Sequence, residues 1–328
     1  MRITPETLIR IARETAQKQA LVEPGLVAAY LTGSLRTDSP FLGGTTDVDI
    51  VFVHQEAPPI RRESRAITPD FSLDITHTPR SEYDKPKELR LHPWLGPELY
   101  DPLPLYTSQQ HFFEFVQASV RDKYNDPSNI ATRAQRNAEH ARQLWSELLT
   151  RQDNWPALLR TYLKSVNHAA NAIAILTGGP LAERRLLLQF PERAQAAGVP
   201  DLAEALPRLL GADNAEPEAL KACVAAWEKD FLEAASKPSM DARISLPRLA
   251  YYKKAFEALL ESESPQAILW PLIFTWTLAA LALPPARQNT WESAIKGLGL
   301  IGPGFEENLS RLDKFLDIVE EKLEQTSA

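Results

Sequence analysis

Thr46-Asp47-Val48-Asp49-Ile50-Val51-Phe52-Val53 is the stretch of sequence that decides how the N-terminal part of this chain folds. The segment of residues 48–53 is short, rich in β-branched residues and apolar except for Asp49, which predicts a buried strand. Side chains on a strand alternate between two faces, so Asp47 and Asp49 project to the same side. The apolar residues that alternate with them are expected to point into the core: Val48, Ile50 and Phe52.

Two further strands are predicted on either side of this motif. Residues 27–32 form an apolar run that ends at Gly33-Ser34, and residues 71–76 form another that carries the lone acid Asp74. A helix precedes them, because Thr4 can cap it and Pro5 suits its first position. The N-terminal region is therefore predicted to be a helix followed by three short strands, with the turn residues between the strands.

The three aspartates have the chemistry of a metal site. A neighbouring strand could place Asp74 beside Asp47 and Asp49, and three carboxylates at one sheet edge repel one another unless cations bind. Phosphoryl and nucleotidyl transfer need such clustered carboxylates, which hold two divalent cations. The alternative is structural: Asp47 would be a turn residue, Asp49 part of a solvated strand face, and Asp74 a charge on an edge strand.

The Gly33-Ser34 turn adds the features of an anion site. Glycine lets the backbone approach a phosphate closely, and the Ser34 hydroxyl and local N–H groups can donate to phosphate oxygens, especially if a helix starts just beyond. The turn is therefore predicted to bind an anion next to the cations.

The remainder of the chain predicts an ordered connector and then helices. Six prolines exclude a continuous helix from residue 79 to residue 106, and from about Gln109 the pattern is helical almost to the end, including residues 305–326. The predicted fold class is α+β. A small mixed β-sheet with helices forms a catalytic domain with its Pro-rich connector over residues 1–106, and an all-helical domain that covers the cleft spans residues 107–328.

Composition narrows the class of protein. The 328 residues include 36 Lys and Arg against 43 Asp and Glu, so the formal net charge is −7 and no global positive field attracts polynucleotides. A single cysteine, Cys223, excludes an intrachain disulfide, and the N-terminus lacks the apolar core of a secretory signal, so a cytoplasmic location is expected. The most apolar run, residues 267–283, is predicted to be a buried core helix, and no membrane association is expected.

A Gly-Ser turn after a strand, Asp-x-Asp on the next strand and then a single strand-borne Asp resemble the motifs of the DNA polymerase β-like nucleotidyltransferase superfamily, over residues 31–75. The resemblance implies that Asp47 and Asp49 coordinate two Mg²⁺ ions, and that Asp74 completes the catalytic metal site and can accept the proton of the acceptor. It also implies that Gly33 and Ser34 hold the β- and γ-phosphates of a nucleoside triphosphate such as ATP. The long loop at residues 37–46 departs from the family pattern, and its phosphate contacts stay unassigned.

The helical half contains polar residues at helical spacing. Lys164, Asn167, His168 and Asn171 form a stripe along one face of a helix otherwise fit for burial. In two-domain relatives such as the aminoglycoside and lincosamide nucleotidyltransferases, a helical second domain contributes contacts to nucleotide or acceptor. We therefore expect Lys164 to reach the triphosphate, with a merely solvated face as the alternative.

Other charged residues receive no catalytic role. His54 and His77 lie close in sequence to the aspartates, and a structural role is expected for both. Two basic groups, Arg184-Arg185 and the residues from Arg243 to Lys254, are interpreted as surface side chains that extend to solvent, and any contact with phosphate or an acidic acceptor stays open.

Three functions remain after these observations. The favoured one is metal-dependent transfer of a nucleoside monophosphate from a triphosphate to a hydroxyl of a small-molecule acceptor, with release of pyrophosphate. The second keeps this chemistry but uses a macromolecular acceptor, either a tRNA end or a protein. The third is a nucleotide-binding regulator without turnover, which the presence of all three carboxylates argues against. The sequence does not identify the acceptor, the preferred base or the oligomeric state.

Overall fold

The computed structural model of this chain describes residues 3–108, 111–151, 153–237 and 241–327. The chain forms two compact units, residues 1–129 and residues 130–328. The first is an α+β unit with a mixed sheet and the second is helical, in agreement with the predicted class. The division between the two units lies 23 residues after the domain boundary predicted at 106/107, and that boundary stays a prediction. Gln109, at about which the helical pattern was predicted to begin, lies outside the described residues.

The first unit is built around a five-stranded sheet in the order β3-β4-β2-β1-β5. Strands β2 and β4 run parallel, and the other neighbouring pairs run antiparallel. The strands are β1 (Leu26–Thr32), β2 (Asp47–His54), β3 (Arg62–Thr68), β4 (Phe71–Pro79) and β5 (Leu103–Thr107). The helices of this unit are α1 (Pro5–Val22), α2 (Pro86–Leu89), α3 (Leu95–Tyr100) and α4 (Phe112–Arg121).

The structure confirms the three predicted strands and corrects their number. Strands β1, β2 and β4 contain the predicted segments, but β3 and β5 were not predicted. The sequence of β3 is Arg-Glu-Ser-Arg-Ala-Ile-Thr, and it forms the outer edge of the sheet, where charged side chains are favoured. The predicted connector is ordered: it contains a 3₁₀ turn, Arg80–Tyr83, then the short helices α2 and α3, and then β5 on the opposite edge.

The two faces of the sheet pack against different helices. One face packs on α1 and includes Val48, Ile50 and Phe52, as the alternation in β2 predicted. Helix α1 begins as expected, because the side chain of Thr4 accepts a hydrogen bond from the backbone N–H of Thr7 and Pro5 occupies the first turn. The other face packs on α4 and the connector, and it is the face to which Asp47 and Asp49 belong.

His54 and His77 take part in a hydrogen-bonded chain on the α1 face. Glu23 bonds to Nδ1 of His54 at 2.7 Å, Nε2 of His54 lies 2.8 Å from Nδ1 of His77, and Nε2 of His77 lies 3.0 Å from Glu63. Burial is the main cause that lowers the pKa of His77. This series of hydrogen bonds links the end of α1 to strands β2, β4 and β3, on the face opposite to Asp49 and Asp74. This placement agrees with the structural role expected for both histidines.

The second unit consists of helices. They are α5 (Pro127–Leu148), which begins at the end of the first unit, α6 (Trp155–Ile175), α7 (Leu186–Ala196), α8 (Asp201–Arg208), α9 (Pro217–Ala235), α10 (Leu249–Leu260), α11 (Leu269–Ala282), α12 (Asn289–Gly297) and α13 (Phe305–Ser327). The acidic C-terminal segment is a helix, as predicted, and Arg142 on α5 binds three of its acids, Asp313, Asp317 and Glu320.

Helix α11 is the most apolar helix of the second unit. The segment Pro265–Ala282 is long and apolar enough to cross a membrane, but 78% of it is buried inside the protein. Two of its polar side chains have partners within the core: Thr275 accepts from the indole of Trp227 at 3.0 Å, and the indole of Trp276 donates to Asp230 at 2.7 Å. The expected burial of this run is therefore confirmed.

Replacing Ile50 tests whether the α1 face supports the strand that carries the aspartates. Ile50 is 1% exposed, so Ile50→Ala removes buried methyl groups and should lower the free energy of unfolding by roughly 2–5 kcal/mol in urea titrations. Leu21→Ala on α1 is the control, because Leu21 is 85% exposed and its truncation should change stability by less than about 0.5 kcal/mol. Equal losses in the two variants would contradict this packing.

Candidate metal and phosphate site

The three predicted aspartates converge on two neighbouring interior strands, near the end of the sheet at which β2 begins. Strands β2 and β4 run parallel with Asp49 beside Asp74 and Asp47 beside Ser72, so these four side chains belong to one face. One carboxylate oxygen from each aspartate lies within 4.8 Å of the others. Asp47 and Asp74 are 4% and 3% exposed, whereas Asp49 is only partly buried. The predicted juxtaposition of Asp74 with the Asp-x-Asp pair is therefore confirmed.

Gly33 lies directly against one of these carboxylates. Strand β1 runs antiparallel to β2 and pairs Thr32 with Asp49, so the turn after β1 reaches the end of the sheet at which β2 begins. Gly33 has a φ of +74° and a ψ of −158°, a conformation that is essentially restricted to glycine. A Cβ at this position would lie 1.8 Å from Oδ2 of Asp49. Glycine is thus needed both for the backbone conformation and for the close approach of Asp49.

Ser34 contributes to the shape of the turn. Its hydroxyl lies 2.7 Å from the hydroxyl of Thr46, and Thr46 in turn donates to the backbone oxygen of Asp47 at 3.2 Å. Ser34 begins a single 3₁₀ turn, Ser34–Arg36, and not the longer helix that would strengthen an anion site. The serine therefore connects the Gly-Ser turn to the start of β2, and its predicted role in phosphate binding stays a prediction.

Arg62 is a member of the cluster that the sequence did not reveal. It lies on edge strand β3 and donates to both oxygens of Asp74, from Nε at 2.7 Å and from Nη2 at 2.5 Å. The aspartate side chain is 2% exposed and the arginine side chain 40% exposed. A bidentate pair of this kind balances one of the three negative charges and orients Asp74. No signal pointed to Arg62, because β3 itself was not predicted.

Glu98 on α3 is a second residue that the sequence did not reveal. Burial raises the pKa of this carboxyl from its ordinary value of 4.5 to about 7, although the charge of Arg62 opposes the shift. Burial raises the pKa of Tyr30 and of Tyr83, and the charge of Glu98 adds to both shifts. Their hydroxyls lie 3.0 Å apart on the Asp-bearing side of the sheet. Glu98 is therefore coupled electrostatically to the arginine that holds Asp74.

Two buried hydroxyls on this face have no hydrogen-bond partner among the described residues, namely those of Ser64 and Ser72. Ser72 is 1% exposed and pairs in register with Asp47, and Ser64 pairs with Asp74. Buried polar groups are usually satisfied by the protein or by water. Their position beside the carboxylates fits a site that holds additional polar atoms, such as the water shell of a hydrated cation.

The polar stripe predicted on α6 divides into two parts. Asn171 is fully buried and has a structural role, because it accepts from the backbone N–H of Leu181 at 2.7 Å and donates to Asn167. Lys164 is exposed on the second unit, and burial, followed by the positive charges of Arg160, Arg243 and Arg151, lowers its pKa. Its predicted contact with a triphosphate stays a prediction.

The basic groups differ from the surface side chains that were expected. Arg184 and Arg248 are 4% and 3% exposed, and both guanidinium groups lie against the ring of Tyr251, at 3.3 Å and 4.7 Å from its centroid. Arg184 also donates to the backbone oxygen of Tyr251 at 2.7 Å. The prediction of solvent-directed side chains was wrong for these two residues, because stacking on an aromatic ring stabilises a buried guanidinium.

No protein-family model matches this sequence, and a comparison with curated proteins finds no significant match.

Substitution at Gly33 tests its contact with Asp49. Gly33→Ala should destabilise the chain by about 2 kcal/mol or more in thermal or urea unfolding, because it adds a clash with the carboxylate to the cost of a positive φ. Gly44→Ala is the matched control: Gly44 also has a positive φ, +72°, but nothing lies within 4 Å of a Cβ there. If both variants lose the same stability, the close approach of Asp49 has no energetic consequence.

The raised pKa of Glu98 predicts a pH dependence of stability. Between pH 4.5 and about 7 this carboxyl ionises in the unfolded chain but remains protonated in the fold, so stability falls as pH rises. The loss should amount to roughly 1–3 kcal/mol, and Glu98→Gln should remove it, so that the variant exceeds the wild type in stability at pH 8 but not at pH 4.5. Glu88→Gln on α2 serves as the exposed control. A Glu98→Gln curve that parallels the wild type would refute the assignment.

Proposed function

We propose that this chain is a nucleotidyltransferase, as its resemblance to the DNA polymerase β-like superfamily implies. It would transfer a nucleoside monophosphate from a nucleoside triphosphate to a hydroxyl of a small-molecule acceptor and release pyrophosphate. The observation that carries the proposal is the convergence of Asp47, Asp49 and Asp74 beside Gly33. Clusters of three acids are common in proteins. This cluster also lies against a glycine turn at the end of the neighbouring strand, where any side chain would clash with Asp49, and the two features together indicate a metal and phosphate site more specifically than the acids alone.

The donor set fits Mg²⁺. Hard divalent cations take carboxylate oxygens and keep several waters, and the three aspartates offer oxygens within 4.8 Å of one another. The Ser72 hydroxyl beside them has no partner within the described part of the chain. Bound there, Mg²⁺ would neutralise the triphosphate and lower the pKa of the attacking hydroxyl. The partly buried Asp49 would face the ligand. Asp47 and Asp74 are more deeply buried and would hold the cation in position, with Arg62 orienting Asp74.

The protein groups have separate tasks in this proposal. The Gly33-Ser34 turn would admit the β- and γ-phosphates close to the backbone, because glycine leaves no side chain in their way. The resemblance implies that Asp74 accepts the proton of the acceptor hydroxyl, and Arg62 would hold both oxygens of Asp74 in place for this step.

Asp49→Asn tests the proposed metal site and chemistry together. The amide keeps the volume of the side chain but removes its charge, so Mg²⁺ should no longer raise the melting temperature, and transfer should fall about 100-fold or more. The assay supplies four labelled triphosphates with Mg²⁺ to pools of small molecules, RNA and protein, and the pool that takes up label identifies the acceptor class.

Asp38→Asn is the control for this experiment, since Asp38 is exposed in the loop before β2 and its replacement removes the same charge. It should bind Mg²⁺ and transfer label as the wild type does. The proposal fails if the wild type shows no Mg²⁺-dependent stabilisation and labels no pool. It also fails if folded Asp49→Asn retains full activity.

A further inference from the structure

The series of hydrogen bonds from Glu23 through His54 and His77 to Glu63 needs more hydrogens than two neutral histidines carry. Its three contacts join carboxylate to imidazole, imidazole to imidazole, and imidazole to carboxylate, at 2.7, 2.8 and 3.0 Å. Each contact requires one hydrogen, because a carboxylate only accepts and a neutral ring has one donor and one acceptor nitrogen. Two neutral rings supply one N–H group each, so the third contact requires one additional proton.

The charges around the two rings lead to the same count. Among the described residues, the charged groups that act on them are Glu23 at the end of α1 and Glu63 on β3, with Arg65 beside Glu63. Two carboxylates and one guanidinium leave one negative charge unbalanced, and a single imidazolium would balance it. The side chains of His54 and His77 are each 6% exposed, so an unbalanced charge here is poorly solvated.

A second additional proton is opposed by the fold. Burial is the main cause that lowers the pKa of His77, and a charge on His54 lowers it further, although the contact with Glu63 opposes the shift. The facing nitrogens of the two rings lie 2.8 Å apart. Two imidazolium rings would direct N–H groups at each other across this distance, with like charges on both rings. The pair therefore accommodates one additional proton but not two.

Loss of the additional proton must break one of the three contacts, and the contact with Glu63 is the least costly to lose. Arg65 donates to both oxygens of Glu63, at 2.9 and 2.6 Å, so this carboxylate keeps two charge-assisted hydrogen bonds. Gln19 donates to one oxygen of Glu23, and the other oxygen is the one that contacts His54. We therefore expect the bond between His77 and Glu63 to open when the proton leaves.

We propose that His54 and His77 form a pH-sensitive switch that binds one shared proton and thereby fastens edge strand β3 to the rest of the sheet. With the proton bound, Nε2 of His77 donates to Glu63 and every contact in the series contains a hydrogen. When the proton passes to solvent, both rings are neutral and His77 no longer donates to Glu63. Arg62 precedes Glu63 on β3 and points to the other face, where it holds Asp74. The switch thus connects solvent pH to the arginine that orients Asp74, and it does not rest on the proposed transfer reaction.

The test is ¹⁵N NMR of the histidine rings in the full chain, titrated from about pH 5 to 9. Nitrogen chemical shifts distinguish imidazolium from each neutral tautomer, and through-bond correlation assigns the signals to residues. His54 and His77 should titrate in one joint step that releases one proton from the pair, and the Nε–H signal of Arg62 should shift in the same step. His111→Gln is the control, because His111 is exposed and contacts Glu114, so its replacement should leave the step unchanged.

Glu63→Gln provides the missing hydrogen from the protein itself. Its amide can donate to Nε2 of His77, so all three contacts form with two neutral rings. The midpoint of the joint step should therefore fall by about one pH unit or more, a tenfold loss of proton affinity, and both neutral rings should carry hydrogen on Nδ1. Glu82→Gln is the matched control: it also removes a carboxylate, but Glu82 pairs with Arg61 and Thr78, so the midpoint should not move.

The proposal is overturned if the two rings of the wild type titrate independently, if the Arg62 signal does not respond, or if Glu63→Gln and Glu82→Gln move the midpoint equally. If Glu63→Gln does not fold, the wild type decides the question, because the joint step and the response of Arg62 need no variant. A joint step in a chain that transfers no label would support the switch and reject the transferase.

Discussion

The parallel pairing of β2 with β4 is the constraint on which the candidate site depends. Parallel neighbours place registered side chains on the same face, so Asp49 and Asp74 lie side by side although 25 positions separate them in sequence. A shift of one residue would turn Asp74 toward α1 and bring apolar Leu73 or Ile75 to its place. Because those residues belong to the core on the α1 face, their burial fixes the register and hence the carboxylate cluster.

The sequence predicted the centre of this arrangement better than its edges. Strands β1, β2 and β4 have apolar runs that alternation and turn residues delimit, and the aspartates stand out against them. Strand β3 is polar because it forms an edge, so no hydrophobic period marks it, and Arg62 could not be assigned to the site. Glu98 was missed for another reason. Its raised pKa arises from packing in the folded unit, and neighbouring residues in sequence do not encode that environment.

In the helical unit, the sequence identified polar positions but not their roles. The stripe on α6 was visible from its spacing. Only the fold shows that the side-chain oxygen of Asn171 accepts a hydrogen bond from the backbone N–H of Leu181, while Lys164 remains exposed. Likewise, Arg184 and Arg248 resemble ordinary surface arginines in sequence. The ring of Tyr251 lies 67 positions after Arg184 but only three after Arg248. A pairing as distant as that of Arg184 carries no local pattern, and the burial of Arg248 depends on the packing of the folded unit.

The two units compensate concentrated charge differently. In the first unit, three carboxylates are compensated in part by Arg62, which leaves room for cations to supply the rest of the positive charge. In the second, the arginines near Lys164 have acidic partners of their own, since Arg243 pairs with Asp241 and Arg151 with Asp153. Charge imbalance is costly in a folded protein unless a ligand completes it. A cation bound by the three carboxylates would therefore remove an imbalance that the fold of the first unit preserves.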